Sequence, residues 1–570
     1  MSSSSVRFPI AASMLLAAIL AAPLAAQSLT ITGRVTSDAG APLQGASVIL
    51  RGTPFGTLTS REGTYSVRAT PGQVLVFRLI GYAQETRTVG TDAVVNVELR
   101  RQALSLDATV VTALGQTTQQ RNVGTAQQSV EGAEIVQSTR QNFVNALQGR
   151  VAGVEVTSSS GVPGASSSIT IRGVSSISGS NQPLMIIDGL PMDNKTLNTN
   201  VLASDAPGST TAFNNRGLDF TNRAADLNPD DIETLVVLKG PEAAALYGID
   251  AANGAIVITT KRGRAGTSGF EYSNFFRMER TRARPEVQRV YGPTTIAGGV
   301  LGSFFYFGQP YAAGTTFFDN VDGFFQEALT QRHSLSFSGA AADARMNYRV
   351  AASTDRQEGV VPGNRYNRVT LTGATQGQVT SWLTADLSMN YSRADNDQSY
   401  KGDAGPLIGL LVWPSTDNAR DYLTPAGQRR RLTTLAANNE TDNPYFNIDK
   451  NRNNSVNSRL IMNLGLVFNP GRIGTIRMNI GQDGYTNENL VLRHPESALA
   501  QSVNGVLDLA ADVTRNLNIQ TVASLTPIQL PQGFTLSGLV GNQISDFRSQ
   551  TNALKGQDFL DPGFVSINNT

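Results

Sequence analysis

Apolar and polar positions along this chain change their spacing twice. From about residue 28 to 100 they alternate over short runs, LTITGRVTS, ASVILRG, GTYSVRA, QVLVFRL and AVVNVELR, divided by turns rich in Gly and Pro. That pattern predicts a small β-sandwich. From 122 to 263 helical and strand-length runs mix. Phe143, Ala146, Leu147 and Arg150 fall at helical spacing behind Ser138 or Thr139 as N-cap, and Gly153 releases the chain into a strand at 154–156. A further run, 168–171, ends at Arg172-Gly173, and 182–187 enters a tight turn at Asp188-Gly189.

The longest unit of this middle region is NPDDIETLVVLKGPEAAALYGIDAANGAIVITTKRG, residues 228–263. Asn228 to Asp231 form a capped turn, and 233–238 is a β-branched strand. Lys239-Gly240 breaks it. Pro241 then takes the first helical position, with Glu242 beside the helix N-terminus. The helix ends at Tyr247 with Gly248 at C′, and Asn253-Gly254 opens a second strand to 260.

Beyond 269 the texture becomes long amphipathic strands. Leu383, Ala385, Leu387, Met389 and Tyr391 alternate with Trp382, Thr384, Asp386, Ser388 and Asn390. Phe270, Tyr272, Phe276 and Met278 repeat the pattern with one polar lapse at Asn274, as do Met346, Tyr348 and Val350, and Leu460, Met462, Leu464, Leu466 and Phe468. Any one of these suits a half-buried sheet; in series they predict an antiparallel barrel, lipid outside and polar residues inside. Polar stretches at 394–405, 417–431 and 436–454 read as loops. Asp395 and Asp397 lack EF-hand spacing, so a solvated loop is the reading there.

The first 26 residues read as an export signal: Arg7, an apolar run at 11–20, then small residues before Gln27. The run is shorter than the ~20 residues a helical span needs. Leu24 departs from the preferred Ala, leaving the cleavage point open by a residue. Composition narrows function further. Formal net charge is +1, which gives no electrostatic case for nucleic acid. Zero cysteines remove thiolate catalysis, disulfides and Cys-held zinc. His333 and His494 stand alone; His333 reads as a structural residue at a loop–strand boundary. Phosphate-loop, dinucleotide and nucleophile-elbow motifs are absent, so no catalytic, cofactor-binding or metal-ligating residue is assigned.

The string LKGPEAAALYG followed by AANGAIVITTKRG, preceded in order by NALQGRVAGVEV, ITIRG and PLMIIDGLP, resembles the plug domain of TonB-dependent outer-membrane transporters of the SusC/RagA family. GRVTSDAGAPLQGASVILRGT, REGTYSV and LIGY resemble the carboxypeptidase-regulatory-like domain that precedes that plug. The resemblance implies a mainly β chain: signal peptide 1–26, sandwich 27–101, TonB box and linker 106–121, plug 122–263, and the first part of an antiparallel transmembrane β-barrel, 264–570. Its plug motif covers Arg172, Gly173, Asp188, Gly189, Lys239, Gly240, Pro241, Glu242, Tyr247, Gly248, Asn253 and Gly254. A buried Arg172 needs a carboxylate or carbonyl partner, which the resemblance places at the plug–barrel interface.

Asp107, Val110, Val111, Thr112, Ala113 and Leu114, beside a polar linker, resemble the TonB box, an extended handle that adds to another protein's sheet edge; only Asp107 remains of the acidic pairs the family often has there. The resemblance implies import of a glycan or peptide, the partners TonB with its inner-membrane energising complex and a SusD-like lipoprotein, outer-membrane lipid around the barrel, and periplasmic N-terminal domains. Two alternatives stand beside import: a surface sensor, and a secreted glycan-active enzyme, for which no carboxylate pair is nominated. Plugged barrels have about 22 strands, whereas roughly ten candidates follow Gly263 by alternation. The sequence therefore reads as an N-terminal portion of a longer protein or a truncated product.

Overall fold

A computed structural model describes residues 29–570 except 101–108, 112–116, 120–126, 197–216, 264–267, 296–300, 342–344, 434–440 and 501–503 and, in ones and twos, 38–39, 52, 54–55, 80–81, 83, 91, 139, 141, 178, 241–242, 245–246, 472 and 532–533. The chain divides into two compact units, 1–110 with 119–121 and 111–118 with 122–570. No helix among the described residues is long and apolar enough to cross a membrane.

The first unit holds a three-stranded sheet (Thr64–Ala69, Leu29–Ser37, Val97–Leu99) and a four-stranded one (Gly56–Leu58, Ser47–Leu50, Val74–Arg78, Glu85–Thr88). Alternate positions point inward, so Ile31, Val35, Val48, Leu50, Leu75 and Phe77 form one core. The Tyr65 hydroxyl donates to the Val95 carbonyl at 2.7 Å, and burial pushes this phenol up to about 12.

In the second unit a five-stranded mixed sheet runs in the order Gln127–Glu131, Ile232–Leu238, Ala255–Thr260, Leu184–Ile187, Leu190–Met192. Ala255–Thr260 and Leu184–Ile187 pair in parallel and the other neighbours antiparallel. Its core is Val130, Ile135, Phe143, Leu147, Ile169, Met185, Leu235, Val237, Ile256 and Ile258. Burying each such large side chain is worth about 1.5–3 kcal/mol, so this body folds around its own apolar centre. The helix expected behind Ser138 divides differently. Gly132–Gln137 is α-helical and ends at Ser138, whose hydroxyl donates back to Ile135 O; the next turn, Phe143–Leu147, is a 3-10 helix capped by Asn142. Asn142 offers its amide oxygen to Val144 N at 3.1 Å, so the capping group sits three or four residues later than the pattern suggested.

Nine long antiparallel strands follow as a meander: Gly269–Glu279, Ala328–Ala340, Met346–Glu358, Arg365–Thr380, Leu383–Asp397, Arg452–Phe468, Gly474–Arg493, Val506–Leu525 and Leu539–Gln557. The first and last are its free edges, so the sheet is not closed. One face is apolar and exposed, with Val350, Leu371, Leu387, Met389 and Met462. Connections at one end are mostly long, 280–327, 398–451 and 494–505 beside a short 359–364, and at the other mostly short, 341–345, 381–382 and 469–473. Two expected boundaries move. Asp395 and Asp397 belong to a strand and accept from Asn454 Nδ2 across the ladder. His333 lies mid-strand, its Nδ1 within hydrogen-bond distance of Tyr272 Oη and Asn274 Nδ2 (2.8 and 2.9 Å); that contact accounts for the polar lapse at Asn274.

Candidate functional site: a buried ionic seam between plug body and sheet

Period-two geometry dictates what the other face of the sheet carries. Asn457, Arg459, Ile461 and Asn463 share one side of their strand while Leu460, Met462 and Leu464 share the other. The polar side meets the five-stranded body. Ile461 enters that body's core, and every strand from Ala328–Ala340 to Val506–Leu525 supplies it a hydrogen bond. Ser334 donates to Asp230, Arg349 to Asp231, Arg368 to Leu227 O, and Asn396 to Thr221. Arg459 donates to Arg223 O, Tyr485 to Asp193, and Asn516 to Pro191 O. One body thus reaches seven neighbouring strands, each about 4.8 Å from the next, and pins them all to its surface.

The contact concentrates on Arg223–Asp226, Pro229–Asp231 and the residues between, RAADLNPDD. Arg459 grips Asp483 in a bidentate pair (Nε–Oδ1 2.8 Å, Nη2–Oδ2 2.6 Å) and spends its remaining protons on the body: Arg223 O at 3.0 Å, Asp193 O at 3.0 Å and Asp226 Oδ2 at 3.3 Å. Asp226 also accepts from Asn457 at 2.9 Å and lies 3.6 Å from Arg223. A second node centres on Asp355, which holds Arg332 and Arg368, each at 3.1 Å; Arg368 then donates to Ala225 O and Leu227 O. Arg349 and Asp231 form a third at 2.7 Å. The side chains of Arg459, Asp483, Asp226, Asp355 and Arg368 are at most 2% exposed. A buried pair adds little net stability, because desolvation cancels most of the attraction, but removing one partner costs about 3–5 kcal/mol. Such nodes therefore fix the position of the body far more than they strengthen the fold.

A further latch closes the long-loop end. Asp219 accepts from Ser159 Oγ (2.5 Å), Ser166 Oγ (2.6 Å) and Lys401 Nζ (2.5 Å). It ties the loop between strands Val154–Ser158 and Ser167–Ile171 to the stretch after Asp397. Burial works to raise this carboxyl, but the Lys401 charge and the hydrogen bonds from Lys401 and both serines outweigh it and hold it below the usual range. Burial in turn holds the Lys401 ammonium below its usual value, Asp219 offsetting part of that.

The motif residues read from the sequence fall elsewhere. Asp188 and Gly189 both have positive φ (47° and 89°) in a two-residue hairpin turn, and the Asp188 carboxylate accepts from Thr260 N and Oγ1 (3.0 and 2.6 Å). Its carbonyl accepts from Asn463 on the sheet, so this residue does touch the seam. Gly254 has φ 91°, and a Cβ there would lie 2.7 Å from Leu238 O. Asn253 bridges Ser175 and Ser180 O. Lys239 donates to Gln128, and Gly240 O accepts from Ala243 N. Ala243 and Tyr247 are helical, and Gly248, at φ 80°, donates to Ala244 O. Burial pushes the Tyr247 phenol up to about 12. Pro241 and Glu242 lie outside the described residues, as do Asp107, Thr112, Ala113 and Leu114; Val110 and Val111 fall in the strand Thr109–Val111.

Arg172 is a correction. It is exposed at φ 61°, followed by Gly173 at φ 89°, and its backbone N–H, not a buried guanidinium, makes the structural bond, to Gly153 O at 2.8 Å. Three buried arginines cross from sheet to body, Arg349, Arg368 and Arg459, and sequence reasoning missed them; Arg262 crosses the other way to Asp386 at 3.5 Å. The available signal was an isolated charge at an inward position of an amphipathic strand.

Two family profiles match the chain: the CarboxypepD_reg-like domain over residues 31–111 and the TonB-dependent Receptor Plug Domain over 119–255. The chain is 31% identical over 386 residues to the TonB-dependent receptor SusC of Bacteroides thetaiotaomicron, covering 67% of this chain and 35% of that one. It is 28% identical over 461 residues to the TonB-dependent receptor P26 of Formosa agariphila, covering 80% and 42%. It thus spans less than half the length of these curated relatives. Among solved structures, the RagAB peptide importer in its 'open-open' state superposes with a TM-score of 0.59, at 18% identity, over 81% of this chain and 51% of that one; at that identity the likeness is one of fold.

Proposed function

We propose that this chain, which belongs to the SusC/RagA family of TonB-dependent receptors, works as the plug and gating wall of an outer-membrane importer for a glycan or peptide. The observation that carries the reading is the seam of buried ion pairs holding 223–231 against the polar face of a sheet whose other face is apolar. Shifting a body held at several such nodes parts buried charges from their partners before water reaches them, and a buried charge left without its partner is costly. The shift is driven by external work. An apolar outer face suits lipid, with the long-loop end outward and the short-turn end, beside Arg262 and Asp386, toward the periplasm.

The route for that work is short. The handle at 110–114 lies just upstream of the strand Gln127–Glu131. This is the edge strand of the five-stranded sheet and pairs with Ile232–Leu238, from Gln127↔Leu238 to Glu131↔Thr234. Asp231, bound to Arg349, immediately precedes that partner strand. TonB, adding to the handle as a strand and pulling through its inner-membrane energising complex, would peel the edge strand first and then load the seam. Cargo favours release of the handle only if it binds the released state better. A SusD-like lipoprotein over the long-loop end is the expected partner, as the family resemblance implies; RagAB is itself described as a peptide importer.

The test is uptake of labelled oligosaccharide and peptide pools by cells carrying Val110→Pro and Thr112→Pro in the chain. Proline removes the backbone donors a strand-adding partner needs, so uptake should be lost while surface binding of cargo persists. Undiminished uptake would sink the handle and with it the pulling mechanism.

A further inference from the structure

A cavity of about 220 Å³ opens between the plug body and the sheet at the long-loop end, far above the ~10–15 Å³ one water requires on this measure. The body contributes Arg140, Gln148 and Ser160, and the sheet Arg277, Gln357 and Arg368. Two of these side chains are almost fully buried yet incompletely satisfied. Gln357, 1% exposed, donates to Asp355 but leaves its Oε1 without a partner, and Arg368, 2% exposed, leaves its Nε without one. A buried orphan of this kind costs about 1–3 kcal/mol, a cost that a ligand group in the cavity would relieve.

Charge points to the ligand's chemistry. Glu279 is the one carboxylate among the described lining residues, and Arg277 holds it at 3.3 Å; Arg368 shares Asp355 with Arg332. Arg140, exposed at the cavity's rim, forms no ion pair among the described residues. The site is therefore left with positive charge in excess, beside an orphaned N–H and an orphaned amide oxygen.

We propose that this cavity is a cargo subsite for a carboxylate-bearing unit that also carries a hydrogen-bond donor: Arg140 and Arg368 Nε take the carboxylate, and Gln357 Oε1 accepts from the ligand's hydroxyl or amide. Two sources share that chemistry, an acidic sugar and a peptide C-terminus. The inference deepens the import reading and rests on it for calling the ligand cargo.

The experiment is calorimetric titration of the detergent-purified chain with two matched pairs: glucuronate against glucose, and glycyl-alanine against its C-terminal amide. At least one acid should bind tenfold or more tightly than its neutral partner, and the acid that does names the source. Arg140→Gln should erase the preference, Arg140→Lys should keep part of it, and Gln357→Leu should weaken the favoured acid several-fold. Gly161→Phe supplies a variant that touches no charge. Gly161 lines the cavity and a Cβ there meets nothing within 4 Å, so the ring should enter the space and block binding. Equal binding within both pairs, or a preference unchanged by Arg140→Gln, overturns the subsite. Uptake that continues without any acid preference removes the subsite alone; acid binding that survives while handle variants still import removes the pulling mechanism alone.

Discussion

Arg459, on a wall strand, holds Asp226, on the plug, at 3.3 Å across 233 positions of sequence, with both side chains at most 2% exposed. Asp483 completes the node at 2.6 Å. On the proposed mechanism the pair joins the part that moves to the part that stays.

Arg459→Met should strand Asp226 and Asp483 without their cation and destabilise the plug–wall contact by about 3–5 kcal/mol. Melting of the detergent-solubilised chain and protease cleavage within 223–231 report it. Adding Asp483→Asn, which removes one stranded charge, should recover part of the loss. A melting point equal to the parent's would show that the node does not hold the plug.

Gly254→Ala meets two obstacles, φ of 91° and a Cβ 2.7 Å from Leu238 O. The strain should cost about 1–3 kcal/mol and loosen the pairing of Ala255–Thr260 with Ile232–Leu238. Faster amide exchange in those two strands is the readout, with Gly149→Ala, also at positive φ but in open space, as the milder control.

Acid should open the latch at Asp219. Its carboxyl is held lower in the fold than in the unfolded chain, so its stabilisation is complete above the ordinary Asp value of about 3.9. That stabilisation is lost as pH falls through the lower folded value. Exchange at 159–166 should rise only in that acidic window, and Asp219→Asn should show raised exchange at neutral pH with the acid step gone.

His494 titrates in a different window. Burial holds its ring below the usual value, and its Nδ1 accepts from Glu496 N at 3.2 Å, a bond only the neutral ring can make. Below about 6.5 the unfolded chain takes up a proton that the folded one refuses. Local stability around Asn451 and Ser497 should therefore decline as pH drops from there toward the folded value. Exchange measured between pH 5 and 7.5 checks this, and His494→Gln should flatten the slope.

Much of the fold was legible along the chain. Alternation at Leu387-Met389 and at Leu460-Met462 gave the outward face, because strand geometry is local. Asp188-Gly189 gave a hairpin turn because two adjacent positive φ values favour those residues. Capping was less legible: Ser138 and Asn142 are both competent caps, and which one starts a turn depends on tertiary packing of Phe143 and Leu147. The motif glycines marked where the backbone turns, yet most of the residues that tie plug to wall lay outside those motifs.

Local spacing thus settled the strands, their faces and the order of the parts, since a side chain's direction in a strand follows from its neighbours. It could not choose partners. Asp226 with Arg459, Asp231 with Arg349 and Asp219 with Lys401 are 233, 118 and 182 positions apart. Only the packing of the sheet's polar face against the plug brings those charges within 4 Å, where burial makes each costly to leave alone.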